Sequence, residues 1–347
     1  MIKVSSMTQS ASEHIVLDHG VGGKMSGDLI RHVICGRLKD RHIGNMEDST
    51  VLDIKAGRIA VTTDSFVIDP IFFHDGDIGK LAVCGTVNDL AVSGARPVYI
   101  TLAFIIEEGF PIAHLEMIVD SIAETAQEAG IFVVAGDTKV VKKNEADKIY
   151  INTTGFGEFQ NGDMRLCPGR IETDDRIIVT GQLGNHSIHI LSLREGLGFE
   201  NRVKSDCAPL NHMIRDVLDT YGPEIRFMRD ITRGGLGTVL NEIVEETGHG
   251  IEIKESTLPL LRETVMAADM LGIDPIYLAN EGNLCICVAP AAVDAVVDRL
   301  RLHSYGAAAT AIGKVTAEFT DKVVMIDKHG RHKAVDPLIG AQLPRLC

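Results

Sequence analysis

The sequence predicts an α/β (α+β) protein of two domains. Strand-like and helix-like stretches alternate along its 347 residues. The strands come in pairs between helices, which argues against one doubly wound sheet. A polar, turn-rich stretch at 160–175, QNGDMRLCPGRIETDD, separates two such series. This length suits about two domains, each able to bury a core.

In order, residues 1–14 read as a flexible leader, because MIKVSSMTQSASEH lacks the apolar core of a signal peptide. The first domain is expected over 15–160. RIAVTTD is a strand, and the small, apolar GKLAVCGTVNDLAVSGA is a buried helix ending at a Gly. RPVYITLAFII is a strand. From Pro111 to Ala129 apolar residues recur at helical spacing, with Pro near the start and Gly130 just past the end. IFVVAGD and KIYINTTGFGE complete the strands. The second domain is expected over 161–327. It opens with RIIVTG, places helices at 185–195, 209–220, 235–247, 260–271 and 290–302, and adds the strands GIEIKE, LCICVA and AAATAIGKV. After about Asp327 the pattern fades, so 328–347 reads as a tail.

Net charge is −14 with the acids spread along the chain, which disfavours nucleic acid as a partner. A nucleotide remains compatible, since metal ions bridge phosphates to carboxylates. No stretch approaches the roughly 20 apolar residues of a membrane span, so a cytoplasmic location is expected. The seven cysteines, 35, 84, 167, 207, 285, 287 and 347, are odd in number and irregularly spaced, which does not suggest a disulfide framework. Cys285 and Cys287 share one face of a strand and read as core. The pairs His186/His189 and His329/His332 read as solvent-facing.

There is no G-x-x-x-x-G-K-[ST] loop and no G-x-G-x-x-G after a first strand. Instead, IAVTTD, VVAGD and IRFMRD each end an apolar run on an acid: Asp64, Asp137 and Asp230. Asp89 sits beside Asn88 inside a helix, and Asp48 lies in NMEDST. Taken singly, each reads more readily as a cap or turn residue than as a ligand. As a set at strand ends they suggest metal-bridged ATP, because Mg²⁺ takes one or two carboxylates plus phosphate oxygens. HGVGGKM supplies Gly22, Gly23 and Lys24, and DITRGGLGT places Arg233, Gly234 and Gly235 before a helix start, a position suited to an anion. GDTKVV adds Thr138 and Lys139, and ANEGN places Glu281 in a turn before a buried strand.

In one order, HGVGGKM, TTDSFV, IGKLAVCGTVNDLAVSGARP, GDTKVV, RDITRGGLGTVLNE, ANEG and the terminal PRLC resemble the HypE family of hydrogenase maturation proteins. That family lies within the PurM-like superfamily of aminoimidazole ribonucleotide synthetase and selenophosphate synthetase. The resemblance spans about 15–347. The middle motifs are shared with the superfamily, and the terminal Pro-Arg-Leu-Cys singles out HypE. The resemblance implies an N-terminal dimerising domain with ATP in a cleft reaching the C-terminal domain. It implies a carbamoyl group placed on the C-terminal cysteine by the carbamoyltransferase HypF, and ATP-dependent dehydration to a thiocyanate. It further implies cyanide delivery to iron on a HypC–HypD complex, for the NiFe hydrogenase centre. The expected ATP-binding residues are Gly22, Gly23, Lys24, Asp64, Asn88, Asp89, Asp137, Thr138, Asp230, Arg233, Gly234 and Gly235. Asp48, Asp64, Asp89, Asp137 and Asp230 are expected to hold Mg²⁺, and Cys347 is the expected tethered substrate.

Turning a thiocarbamate into a nitrile expels its oxygen, and phosphorylation makes that oxygen a good leaving group. The site then needs positive charge at the phosphoryl group and a base for nitrogen. Lys24, Lys139 and Arg233 are candidates for the first. Glu281 is the candidate base, with Lys139 as rival. From Val335 to Cys347 the chain extends at most about 40 Å, enough to visit another protein and return. A lipidation box would need its Cys fourth from the end. Two rivals remain: another ATP-dependent synthetase of the superfamily, which needs no terminal Cys, and a non-catalytic thiol carrier, which leaves the acids idle.

Overall fold

The computed structural model describes residues 13–19, 23–41, 57–160 and 165–338. After a short 3-10 turn at Leu17–His19 comes a helical run of α1 (Gly23–Asp28), a π-helical stretch Leu29–Cys35 and α2 (Gly36–Leu38), which buries Leu29, Ile34 and Leu38. Next come β1 (Ile59–Phe66), a small hairpin of β2 (Phe72–Phe73) and β3 (Gly76–Asp77), and α3 (Ile78–Val92). Asp77 caps α3, accepting from the Gly79 and Lys80 amides at 2.7 and 3.0 Å. β4 (Arg96–Glu107), α4 (Ile112–Ala129), β5 (Phe132–Val141) and β6 (Ile149–Glu158) follow. Gly130 ends α4 at φ +72°.

The four long strands form a sheet in the order β1-β6-β4-β5, with only β4 and β5 parallel. α3 and α4 cover one face; their Ile78, Leu81, Val83, Leu115, Ile118 and Ile122 are buried. α3 is apolar nearly all round, as its sequence requires of a helix enclosed on every side. The opposite face carries Ile59, Val61 and Ile105, which stay 49, 56 and 42% exposed.

The second half contains β7 (Arg176–Val179), α5 (Asn185–Glu195), α6 (Asn211–Tyr221), β8 (Ile225–Asp230), α7 (Gly235–Thr247), β9 (Gly250–Lys254) and α8 (Arg262–Leu271). It continues with β10 (Leu284–Val288), α9 (Val293–Leu300), β11 (Thr310–Thr316), β12 (Val323–Ile326) and β13 (His332–Ala334). Seven strands run in the order β13-β12-β9-β11-β7-β10-β8. Only β9 and β12 are parallel. β10 is buried on both faces. Cys285 and Cys287 join the core under α7, while Leu284, Ile286 and Val288 join the core under α6 and α9.

Two expectations are corrected. Residues after Asp327 are not all tail: 332–334 form β13 on the sheet edge, and the Val335 amide donates to Val323 O at 2.9 Å. A three-residue strand is too short for alternation to show. His186 and His189 are not solvent-facing; both are fully buried on α5, at the seam between the halves. His186 Nδ1 meets Ser205 Oγ at 2.9 Å, His189 Nδ1 meets Val203 O at 2.8 Å, and the His74 amide donates to His189 Nε2 at 3.1 Å. Phe73 stands edge-on to both rings. Burial lowers the His186 pKa to about 3, so the ring is neutral. No helix among the described residues is long and apolar enough to cross a membrane.

Candidate active site

Both halves line a cleft of about 610 Å³. β1 brings Asp64 and α3 brings Asp89 from the first; β8 brings Asp230, its following loop Arg233, and the turn before β10 Glu281 from the second. The geometry follows from strand ends. Asp230 pairs with Leu284 as the last residue of β8. The chain beyond stays pinned: the Ile231 amide donates to Asn283 O, and the Asn280 amide donates to Ile231 O. α7 then starts at once. Gly234 and Gly235 adopt φ +75° and +62°, and a Cβ on Gly235 would lie 2.5 Å from Ile276 O. Only glycine fits both the conformation and the contact. No side chain caps α7, so its N-terminal amides face the loop that carries Arg233.

The three acids repel one another. Burial, then the charges of Asp230 and Asp64, push the Asp89 carboxyl up to about 7. Burial also raises Asp64, against the opposing pull of Asp89 and Arg233. Burial raises Asp230, opposed by the Arg229 charge and a hydrogen bond from Thr232. Thr62 Oγ1 donates to Asp89 Oδ2 at 3.0 Å. Asp64 Oδ2 is buried without a donor among the described residues, and a proton on Asp89, held up to about 7, relieves the repulsion in the bare protein. A divalent cation would take that proton's place, and the orphaned oxygen fits it. No group of three His, Cys, Asp or Glu among the described residues is preformed to hold a metal. The acids therefore suit an ion that brings water or phosphate oxygens, as Mg²⁺ does.

The other predicted residues lie elsewhere. Asp137 and Lys139 form an exposed ion pair at 2.6 Å on β5, and that pairing holds the Asp137 carboxyl below its usual range. β5 is the far edge of the sheet from β1, three strand spacings or about 14 Å away. The register also turns both side chains to the face away from α3, level with Ala103 and Ile105. One chain thus does not bring them to the acids. Thr138 points to the inner face, level with Phe104. Asn88 is spent on the seam: its amide donates to Ala208 O at 3.0 Å and accepts from the Leu210 amide at 2.7 Å. Gly23 and Lys24 are the first residues of α1. Gly22, Asp48 and Cys347 lie outside the described residues.

Sequence reasoning missed the frame around Glu281. Buried Asn283 accepts from Thr180 Oγ1 and the Gly181 amide at 3.0 and 2.6 Å. Buried Asn280 accepts from the Gly184 amide at 2.8 Å and donates to Ile231 O. Asp206 accepts from the Glu281 amide at 3.0 Å, and burial lifts its pKa to about 6. Two asparagines bracketing Glu-Gly just before an apolar strand were the available signal. Nothing around Asp206 marked it.

Residues 46–159 match the family described as AIR synthase related protein, N-terminal domain, and 172–326 match the corresponding C-terminal domain. Carbamoyl dehydratase HypE of Azotobacter vinelandii is 44% identical over 330 residues, 95% of this chain and 96% of that protein. The chain belongs to the HypE family. A crystal structure of the HypE maturation protein in complex with ATP superposes with a TM-score of 0.90 at 40% identity, covering 96% of this chain and 99% of that one. A HypE chain from a HypE–HypF complex superposes with a TM-score of 0.78 at 42% identity, covering 84 and 94%. The two-domain PurM-like architecture of the family is thus the architecture here.

Proposed function

We propose that this chain dehydrates an S-carbamoyl group on Cys347 to a thiocyanate at the expense of ATP, and so supplies cyanide ligands for the iron of NiFe hydrogenase. The observation that carries the reading is the meeting of Asp64, Asp89, Asp230, Arg233 and Glu281 across one cleft, in a chain akin over nearly its full length to carbamoyl dehydratases.

The thiocarbamate R–S–C(=O)–NH₂ offers its carbonyl oxygen to the terminal phosphoryl group of ATP. ADP leaves, an N–H proton goes to a base, and the C–O bond breaks to release phosphate. Loss of the second N–H proton gives R–S–C≡N. Mg²⁺, when bound, would neutralise phosphate charge. Asp64, Asp89 and Asp230 would hold it, with Asp48 and Asp137 as further candidates. Arg233 offsets charge on the transferred group, while the Gly235 amide is held by Thr232 O at 2.9 Å and shapes the turn. Glu281, fixed through its backbone by Asp206, is the base.

Lys139 and Asp137 need a second chain. Among the described residues the sheet leaves β1 and β5 as open edges and Ile59, Val61 and Ile105 exposed on its other face. A homodimer that packs these faces together would carry β5 of one chain toward β1 of the other. HypF as carbamoyl donor rests on the complex formed by the related HypE; a HypC–HypD complex as cyanide acceptor and a cytoplasmic setting complete the proposal.

Intact mass after incubation with carbamoyl phosphate, ATP and HypF tests it. The chain should gain one carbamoyl group and then lose one water. No adduct on Cys347 overturns the substrate assignment, and an adduct that never dehydrates leaves a carrier. Unchanged dehydration in Glu281→Gln or Lys139→Ala removes that residue from the mechanism.

A further inference from the structure

We infer that Tyr277 and Asn241 are positioning residues that fix where the C-terminal arm leaves the protein, on the order of 10 Å from the turn that opens α7. The inference rests on the tail-as-substrate reading above.

Tyr277 Oη donates to the Asp336 carbonyl at 2.6 Å, and Asn241 Nδ2 donates to the Val335 carbonyl at 3.0 Å. Val335 itself is buried to 4% exposure in the sheet core. On the surface, Lys333 Nζ meets Asp274 at 3.2 Å. The last described part of the chain is therefore held at two successive carbonyls by groups from two elements.

Those elements are the ones that build the anion-facing turn. The Pro275–Tyr277 turn packs on the start of α7, where a Cβ on Gly235 would strike Ile276 O. The Tyr277 ring lies against Gly237, whose Cβ would come within 2.4 Å of it. Asn241 also donates to Gly237 O at 2.8 Å. It stands six residues along α7 from Gly235, a rise of about 9 Å. The root of the arm thus sits on the order of 10 Å from the turn whose Arg233 lines the cleft. Cys347 is the ninth residue after Leu338, up to about 30 Å of extended chain away. That reach exceeds the separation of the root from the cleft turn. A loosened root would spread the same thiol over a larger volume and lower its effective concentration at the cleft.

The test compares a tethered with an untethered substrate. In full-length chain carbamoylated on Cys347, Tyr277→Phe and Asn241→Ala should each slow single-turnover dehydration about fivefold, the equivalent of one net hydrogen bond. In a Cys347→Ser background given carbamoylated Ala-Gln-Leu-Pro-Arg-Leu-Cys peptide in trans, the same substitutions should leave the rate unchanged. Amide hydrogen exchange at Val335, Asp336 and Leu338 should quicken by a similar factor. Equal slowing of both reactions would mean that Tyr277 and Asn241 shape the cleft, and overturns the inference. Unchanged exchange, or quickened exchange with an undiminished tethered rate, also overturns it. A parent protein that dehydrates neither substrate sinks the function itself, while the exchange result still reports whether the anchor exists.

Discussion

Replacing Asp89 by Asn exchanges a carboxyl that loses its proton near neutrality for an amide of the same shape with no such proton to lose. Folding raises this carboxyl from 3.8 to about 7, so the folded protein binds the proton more tightly than the unfolded chain does. The stability it contributes is full below 3.8, falls as pH climbs to about 7, and is gone above that. Three pKa units correspond to about 4 kcal/mol. Part of Asp89 faces the open cleft, where water screens the charge, so roughly 2 kcal/mol is the expected gain for Asp89→Asn at pH 8. The amide retains an acceptor for Thr62 and adds a donor facing the orphaned Asp64 Oδ2. Thermal unfolding of both proteins at pH 4 and pH 8 reads the effect. The melting temperature should rise ~3 °C at pH 8 and hardly change at pH 4. Millimolar Mg²⁺ should stabilise the parent at pH 8 and leave the variant unmoved, and dehydration should be lost. A gain of equal size at both pH values, or none at either, would show that the three acids do not repel one another.

Other perturbations have equally definite outcomes. Gly235→Ala should destabilise the fold by about 2–4 kcal/mol in denaturant titration, because a positive φ and a backbone clash coincide. Asn283→Ala strips partners from Thr180 and the Gly181 amide and should cost about 2–3 kcal/mol, with ATP binding falling alongside as the Glu281 turn loosens. His186 is held neutral by a pKa lowered to about 3; because its unfolded form gains a proton first, the parent should lose stability as pH drops below 6.5, and His186→Gln should flatten that limb in a pH series of chemical unfolding. Arg233→Ala should weaken ATP binding by calorimetry while leaving the melting temperature without nucleotide nearly unchanged, since the side chain is exposed.

The sequence was most legible where local chemistry and tertiary packing agree. Pro111 and Gly130 bracket α4 as their backbone preferences require. Glycines at 234 and 235 announced a helix start that no side chain caps. Cys285 and Cys287 alternate onto one core face because β10 is covered on both sides. Asp230 reached the cleft from the strand end its sequence announced, whereas Asp64 lies two residues inside β1, which runs on to Phe66, and reaches the cleft from the face that meets α3. Legibility failed where placement depends on which face or edge a strand presents. Asp137 ends the same kind of apolar run as Asp64, yet β5 turns it to the opposite side of the sheet. Asn88 sits next to Asp89 in sequence, and one helical step sends it into the seam instead. His186 and His189 read as surface residues because their enclosure comes from Phe73 and Ser205, distant in sequence.

Burial of the interior thiols acts as a filter on chemistry. Cys84, Cys207, Cys285 and Cys287 are all buried. Burial pushes Cys285 up to about 12 and Cys287 well above the ordinary thiol range. Cys207 is raised likewise, chiefly by its contact with Cys84. At neutral pH Cys285 is ionised about once in 10⁵ molecules, and only the thiolate attacks an acyl donor. An activated carbamoyl group arriving at the surface therefore finds all four sulfurs out of reach, and Cys207, Cys285 and Cys287 unreactive as well. The fold thereby enforces chemoselectivity, without needing the donor enzyme to discriminate among them.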